Sequence, residues 1–182
     1  MKYEWKKQDN AFYGARETPT LITVSKQSCI MISGSGNPNN QDFSDKVAAL
    51  YALAYEIKIG YKAAATLGGN EVHDFSVYPL KGVWDLKHGD KLIKEELEYT
   101  IMIRQPNFIT PNMVISALER VKRESQIPCM LKCALTLCKM ENISKFCMLV
   151  PMMMNLPLLR KWRNLQKIMG WNARKAVIER YI

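Results

Sequence analysis

Several kinds of signal are missing from this sequence, and each absence removes a class of function. No apolar stretch approaches the roughly 18 to 20 residues of a membrane-spanning helix. The opening Met1-Lys2-Tyr3-Glu4-Trp5-Lys6-Lys7 is followed by no apolar segment of the kind a secretory signal needs. The expectation is a cytoplasmic protein with no membrane span. Cysteine is scarce, with five residues and no CxxC pair, which argues against a disulfide framework or a zinc ribbon and suits a reducing compartment. Histidine is scarcer, only His73 and His88 with no HExxH spacing, so surface loops account for both better than a metal site does. Gly34-Ser35-Gly36 lacks the third glycine, the Lys-Ser/Thr and the early acidic partner of a phosphate cradle, and reads as a plain turn. No catalytic triad stands out, and no cofactor or metal is expected.

What is present is enough for one ordinary domain or two small repeats sharing a core: 182 residues, 48% hydrophobic and 24% charged. The formal charge of +9 is unevenly placed. Residues 1–122 hold 15 Lys/Arg against 14 Asp/Glu, whereas residues 123–182 hold 11 against 3. That last third also contains four of the five cysteines, seven of the eleven methionines, a single glycine (Gly170), and neither Asp nor His. So abrupt a shift marks a boundary near residue 122.

Within the first part, Thr20-Leu21-Ile22-Thr23-Val24 and Ser28-Cys29-Ile30-Met31-Ile32-Ser33 are short β-rich runs, the second closed by a Gly/Asn/Pro loop. Phe43, Val47, Leu50, Tyr51, Ala54 and Ile57 recur at three-and-four spacing and predict a helix of roughly four turns, ended by the glycines at 60, 68 and 69. Phe75 to Val83 predicts a strand broken around Pro79 and Gly82, and Glu98 to Arg104 a cleaner one. Thr110 and Pro111 suit the cap and first position of a helix striped by Met113, Val114, Ala117, Leu118 and Val121. The order is strand, helix, strand, strand, helix. Such a unit leaves one sheet face bare unless a second copy or a partner covers it.

Tyr51, Tyr55, Tyr78, Trp84 and Tyr99 fall on the predicted helix and strands, where they suit the wall of a concave site for a flat ligand as well as they suit ordinary core packing. Glu95, Glu96 and Glu98 are the available carboxylates for acid or base work, although a run of this kind is ordinarily a solvated strand start.

A resemblance attaches to specific stretches: Lys2-Tyr3-Glu4-Trp5, Tyr13-Gly14-Ala15, Ile30 through Pro38, Tyr78-Pro79-Leu80-Lys81-Gly82-Val83-Trp84-Asp85, and Tyr99 through Pro106. Over residues 1 to about 122 the chain resembles the GyrI-like small-molecule-binding family, named for a DNA gyrase inhibitor and similar to the effector-binding domain of multidrug-responsive transcription regulators. The resemblance implies an α+β fold of two strand-helix-strand-strand (SHS2-like) copies, with an aromatic-lined cleft and a carboxylate between them. One branch of the family hydrolyses cyclopropane-bearing genotoxic compounds, with the key acidic residue in the second copy. Tyr78 and Trp84 match the pocket wall best. The carboxylate has no counterpart after Lys122, so the chain is expected to lack that hydrolase activity.

Residues 123–182 admit two readings. Leu158, Leu159, Trp162, Leu165 and Met169, interleaved with Arg160, Lys161, Arg163 and Lys167, make a basic amphipathic helix of the sort that binds membrane surfaces, acidic partners or nucleic acid. The genetic code supports a different one. Met and Trp have single codons, so Met152-Met153-Met154-Asn155, read from the third base of its first codon, must spell Asp-Asp-Glu. The same shift turns Met140-Glu141 into Gly, Phe146-Cys147 into Leu, Met169-Gly170 into Gly and Trp171-Asn172 into Glu. With free codons chosen, residues 145–155 read Ile-Leu-His-Val-Gly-Pro-Tyr-Asp-Asp-Glu and residues 177–182 read His-Arg-Glu-Ile-Tyr. Both strings resemble the family's second copy, the latter including its acidic pocket residue.

The sequence therefore predicts a GyrI-like first repeat over 1–122 and, over 123–182, an irregular or helical basic Met/Cys-rich tail, the out-of-frame remnant of a second repeat after a slip near Lys122 to Ser125. The expected partner is a hydrophobic or aromatic small molecule, and a homodimer pairing two first copies is physically reasonable. Nucleic acid is the weaker expectation. The alternative is a basic-tailed interaction protein using residues 156–182.

Overall fold

The computed structural model describes residues 1–9, 20–23, 27–69, 71–86, 94–124, 139–143, 146–149 and 176–178. In chain order these form β1 (Lys2–Tyr3), α1 (Trp5–Gln8), β2 (Thr20–Thr23), β3 (Gln27–Ser35), α2 (Gln41–Leu67), β4 (Asp74–Phe75), β5 (Leu80–Leu86), a 3₁₀ turn (Lys94–Glu96), β6 (Leu97–Arg104), α3 (Pro111–Arg123), β7 (Lys139–Ile143), β8 (Phe146–Leu149) and β9 (Ala176–Ile178). The fold is α+β. Its main sheet has five antiparallel strands in the order β7-β3-β6-β5-β9. Two short pairs lie apart, β1 parallel to β4 and β2 antiparallel to β8.

β6 lies between β3 and β5, with Ile32 opposite Ile101 and Trp84 opposite Tyr99. Because side chains alternate along a strand, this register turns Ile30, Ile32, Tyr99, Ile101 and Ile103 to one face. There they join Leu50, Leu53 and Ile57 of α2 and Val114, Ala117 and Val121 of α3 in a single core. Each fully buried aliphatic side chain contributes about 1.5–3 kcal/mol, so this face holds helices and sheet together.

α2 is 27 residues long and passes straight through Gly60, where the sequence predicts a helix end. Burial of Tyr61 and Ala65 beyond it outweighs the roughly 1 kcal/mol that an interior glycine costs, and the Tyr61 hydroxyl donates to the Val72 carbonyl at 2.8 Å. Gly60 also leaves room for Arg120 of α3, whose guanidinium lies where a β-carbon would be and pairs with Glu56. The helix ends at Gly68, followed by Gly69 with φ +64°. α3 starts as expected: Thr110 Oγ1 accepts from the Met113 N–H at 3.4 Å, with Pro111 in the first turn. The break in the 75–83 run falls at residues 76–79, and Gly82 sits within β5.

The sequence predicts an irregular or helical tail for the last third; of residues 125–182 the structure describes 139–143, 146–149 and 176–178. These three short segments are strands, with β7 along the outer edge of β3 and β9 along the outer edge of β5. A three-stranded centre presents two rows of unpaired N–H and C=O groups, which extended chain satisfies and a helix does not.

Candidate functional site

The second face of the sheet carries a groove. Pairing of Ser33 with Thr100, Ser35 with Glu98 and Val83 with Thr100 puts these five residues on the face turned away from α2. With Gly34 and Tyr99 they line an open groove of about 450 Å³, within the roughly 300–1,000 Å³ of small-molecule sites. Ser33 Oγ and Thr100 Oγ1 share a hydrogen bond at 2.9 Å. Further along the same face Met31, Met102 and Cys29 form a buried apolar patch with Val83 packed against it. This face is thus covered at the Cys29 end and open at the Ser33 end, rather than bare throughout. Burial pushes the Cys29 thiol up to about 11 against the opposing pull of Lys81 and Arg104, so near neutral pH it is a small apolar group. The groove therefore offers three hydroxyls, those of Ser33, Ser35 and Thr100, and a carboxylate in Glu98, next to the buried Met31–Met102 patch.

On the helix side, Tyr99 and Trp84 lie 5.4 Å apart between ring centroids and Phe43 of α2 closes on both, at 5.0 Å from Tyr99 and 5.6 Å from Trp84. Two glycines make this possible. A β-carbon on Gly34 would meet the Tyr99 hydroxyl at 2.6 Å, and one on Gly82 would meet Trp84 Nε1 at 2.8 Å. Burial raises the Tyr99 phenol while Lys46 beside it pulls the other way. The Asp42 carboxylate, facing the same hydroxyl, adds to the rise. Lys46, itself buried, pairs with Asp42 and lies 5.8 Å from the centre of the Tyr99 ring.

Tyr78 belongs to a third cluster. Its hydroxyl donates to Asp9 Oδ2 at 2.7 Å, and the Tyr3 hydroxyl, 3.3 Å away, donates to the same oxygen at 3.1 Å. The Arg104 guanidinium lies 4.8 Å from its ring centre and 3.2 Å from the Asp9 carboxylate. Trp5 stacks on the same ring at 5.9 Å and donates from Nε1 to the Val77 carbonyl at 2.8 Å. Burial raises the Tyr78 phenol, reinforced by its bonds to Tyr3 and Asp9. This is a clamp fastening the N-terminal segment to the sheet.

The five aromatic candidates therefore do not meet in one cleft. Trp84 and Tyr99 touch each other, and Tyr78 packs with Trp5. Tyr51 lies half-buried against the helix-side core, while Tyr55 is 52% exposed and lines a separate groove of about 540 Å³ with Trp5 and Val77. Of the carboxylates, Glu95 is exposed and accepts from Asn37 Nδ2 at 3.1 Å, Glu96 is half-buried and Glu98 reaches the sheet groove. His73 is exposed with Nδ1 2.7 Å from the Met1 amine. His88 and the basic helix built on Leu158, Leu159, Trp162, Leu165 and Met169 lie outside the described residues. Sequence reading missed the Ser33–Thr100 pair and the Asp9–Arg104 clamp, both set by strand register and long-range closure; Phe43 it placed only as a core position.

No family model matches the chain, and no curated protein does. The fold is a shared one. It is similar to an uncharacterized conserved protein from Listeria innocua, with TM-score 0.76 and 24% identity over 95% of this chain and 87% of that one. It is also similar to two hydrolases from the same organism: one at TM-score 0.72 and 23% identity over 93% of this chain and 82% of the other, and one at 0.72 and 22% over 97% and 92%. No helix among the described residues is long and apolar enough to cross a membrane.

Proposed function

We propose that the chain is a GyrI-like small-molecule-binding protein whose ligand, flat and hydrophobic or aromatic, lies on the sheet face away from α2 and α3. The observation that carries this reading is the groove of about 450 Å³ over β3, β5 and β6, polar at Ser33, Thr100 and Glu98 and apolar at Val83. Val83 forms its apolar end, backed by the buried Met31 and Met102. In this reading Trp84 and Phe43 hold β5 and β6 rigid from behind, Tyr99 reaches the groove lining, and Tyr51 and Tyr78 support the frame, with Tyr55 exposed away from the site. The hydrolase neighbours make hydrolysis the enzymatic form of such a site, with a carboxylate as general base. This chain binds without turnover, because residues 123–182 are an out-of-frame remnant and the acidic residue of the second copy is not spelled.

The test is a fluorescence titration with the neutral dye Nile red on this chain, on the same gene with its frame restored, and on Val83→Arg. Saturable binding that survives high salt, strengthens in the restored protein and drops at least about tenfold in Val83→Arg is expected from placing a charge in an apolar groove. No saturable binding by either gene product, or binding untouched by Val83→Arg, would remove the reading.

A further inference from the structure

α2 is apolar on two sides. One side sinks Leu50, Leu53 and Ile57 into the core, and an ordinary surface helix turns polar residues outward on the other. The outward side of α2 instead carries Ala48 and Ile59, both exposed, Tyr55, 52% exposed, and Ala52, half-buried. From Ala48 these fall at steps of four, three and four residues, the alternation that keeps one apolar seam along a helix. One further step of three at each end reaches Asp45 and Lys62.

The two ends of the seam carry opposite charges that the described residues leave uncompensated. Asp45 Oδ1 accepts from Gln41 Nε2 at 2.9 Å and Oδ2 takes no hydrogen bond among the described residues. No ion pair within those residues reaches either this carboxylate or the Lys62 ammonium. The pattern selects what can lie on the seam. A second copy laid parallel would set Asp45 against the partner's Asp45 and Lys62 against the partner's Lys62, and like charges at close range are destabilising. Turned antiparallel about a two-fold axis midway between Ala52 and Tyr55, the seam meets itself in complementary order. Tyr55 lies over the partner's Ala52, Ile59 over the partner's Ala48, and Lys62 beside the partner's Asp45. Large side chains thereby fill the spaces beside small ones, and each copy supplies both members of every pair, as an isologous interface requires.

We infer that the outward face of α2 is a homodimer interface, in which α2 packs antiparallel on α2 of a second copy through Ala48, Ala52, Tyr55 and Ile59, with a Lys62–Asp45 pair closing each end. The seam lies on the helix layer and the groove on the sheet face turned away from α2, so the dimer leaves the groove open and stands or falls independently of the ligand reading.

The experiment is sedimentation velocity of the full chain over a concentration series. A seam of about five helical turns sits at the low end of interface sizes, so a monomer–dimer equilibrium in the micromolar range is expected. Lys62→Glu alone and Asp45→Lys alone each set like charges together at both ends and weaken dimerisation about tenfold. An equimolar mixture of these two variants restores an opposite pair at each end and dimerises as the parent does. Ile59→Glu places a charge in the middle of the seam at an exposed helical position where glutamate is well tolerated, and yields a monomer with the parent's circular dichroism. Val83→Arg, on the sheet face, leaves the dimer in place. A monomer at every concentration overturns the proposal, as does a dimer indifferent to Ile59→Glu. So do charge variants that fail to rescue each other, or a dimer that Val83→Arg abolishes, which would put the contact on the sheet face instead.

Discussion

Two glycines and one carboxylate hold more of this structure than their size suggests. Gly34 and Gly82 are the floor on which Tyr99 and Trp84 lie, so a methyl group at either position forces an aromatic ring off its seat. Gly34→Ala and Gly82→Ala are each expected to destabilise the fold by about 1–3 kcal/mol in urea denaturation, the range for overpacking a core. Asp9 accepts from Tyr78 and pairs with Arg104 in a setting that leaves its side chain 13% and that of Arg104 9% exposed. Asp9→Ala is expected to cost about 3–5 kcal/mol because it strands a buried charge, and Tyr78→Phe only about 1 kcal/mol because it removes a neutral donor. Equal effects would show that the carboxylate is solvated. Cys29 adds a pH dependence. Its thiol titrates near the ordinary 9.0 when unfolded and about 11 when folded. Between those values the unfolded chain sheds a proton that the folded one keeps, so stability is full below pH 9 and falls by about 3 kcal/mol toward pH 11. Tyr78 and Tyr99, also raised by burial, act in the same direction. Cys29→Ala is expected to make the alkaline decline in urea midpoint shallower.

At the scale of elements, local pattern and long-range packing divide the credit. The three-and-four spacing from Phe43 to Ile57 located the start and buried stripe of α2, and Thr110-Pro111 located α3, because caps and periodicity are local signals. The far half of α2 was not legible: Gly60 reads as a stop, and only the crossing with α3 shows that its missing side chain is space for Arg120. The same limit applies to the site. Ser33, Thr100 and Val83 belong to three separate runs and become neighbours only through the register of β3, β6 and β5, whereas aromatic residues stand out in a sequence wherever they point. The helix crossing offers its own test. In an Arg120→Ala background Gly60→Ala is expected to stabilise by about 0.5–1 kcal/mol, the helix-propensity difference. With Arg120 present the gain is largely cancelled by displacement of the guanidinium from Glu56. A double-mutant cycle in denaturant reads this coupling directly.

At the scale of the whole molecule, the main sheet is a three-stranded centre drawn from residues 27–104 whose described margins come from residues 139–143 and 176–178. Ending the chain after Glu124 removes both marginal strands and is expected to turn a sedimenting monomer or dimer into heterogeneous aggregate, since bare edges template association. Analytical ultracentrifugation distinguishes these outcomes. The Phe146-Cys147-Met148-Leu149 strand is uncharged and apolar, so the full chain is expected to aggregate on heating, and a cooperative, monodisperse melt would overturn that expectation. The order of the strands also sets a timetable. A ribosome delivers β3, β5 and β6 first and adds residues 105–178 at about 5–20 per second. The nascent sheet therefore waits roughly 4–15 seconds for the strand that covers Gly82–Trp84. Through that interval the backbone groups of Gly82–Trp84 stand without their strand partner, so the time open to edge-to-edge pairing is set by the rate of translation.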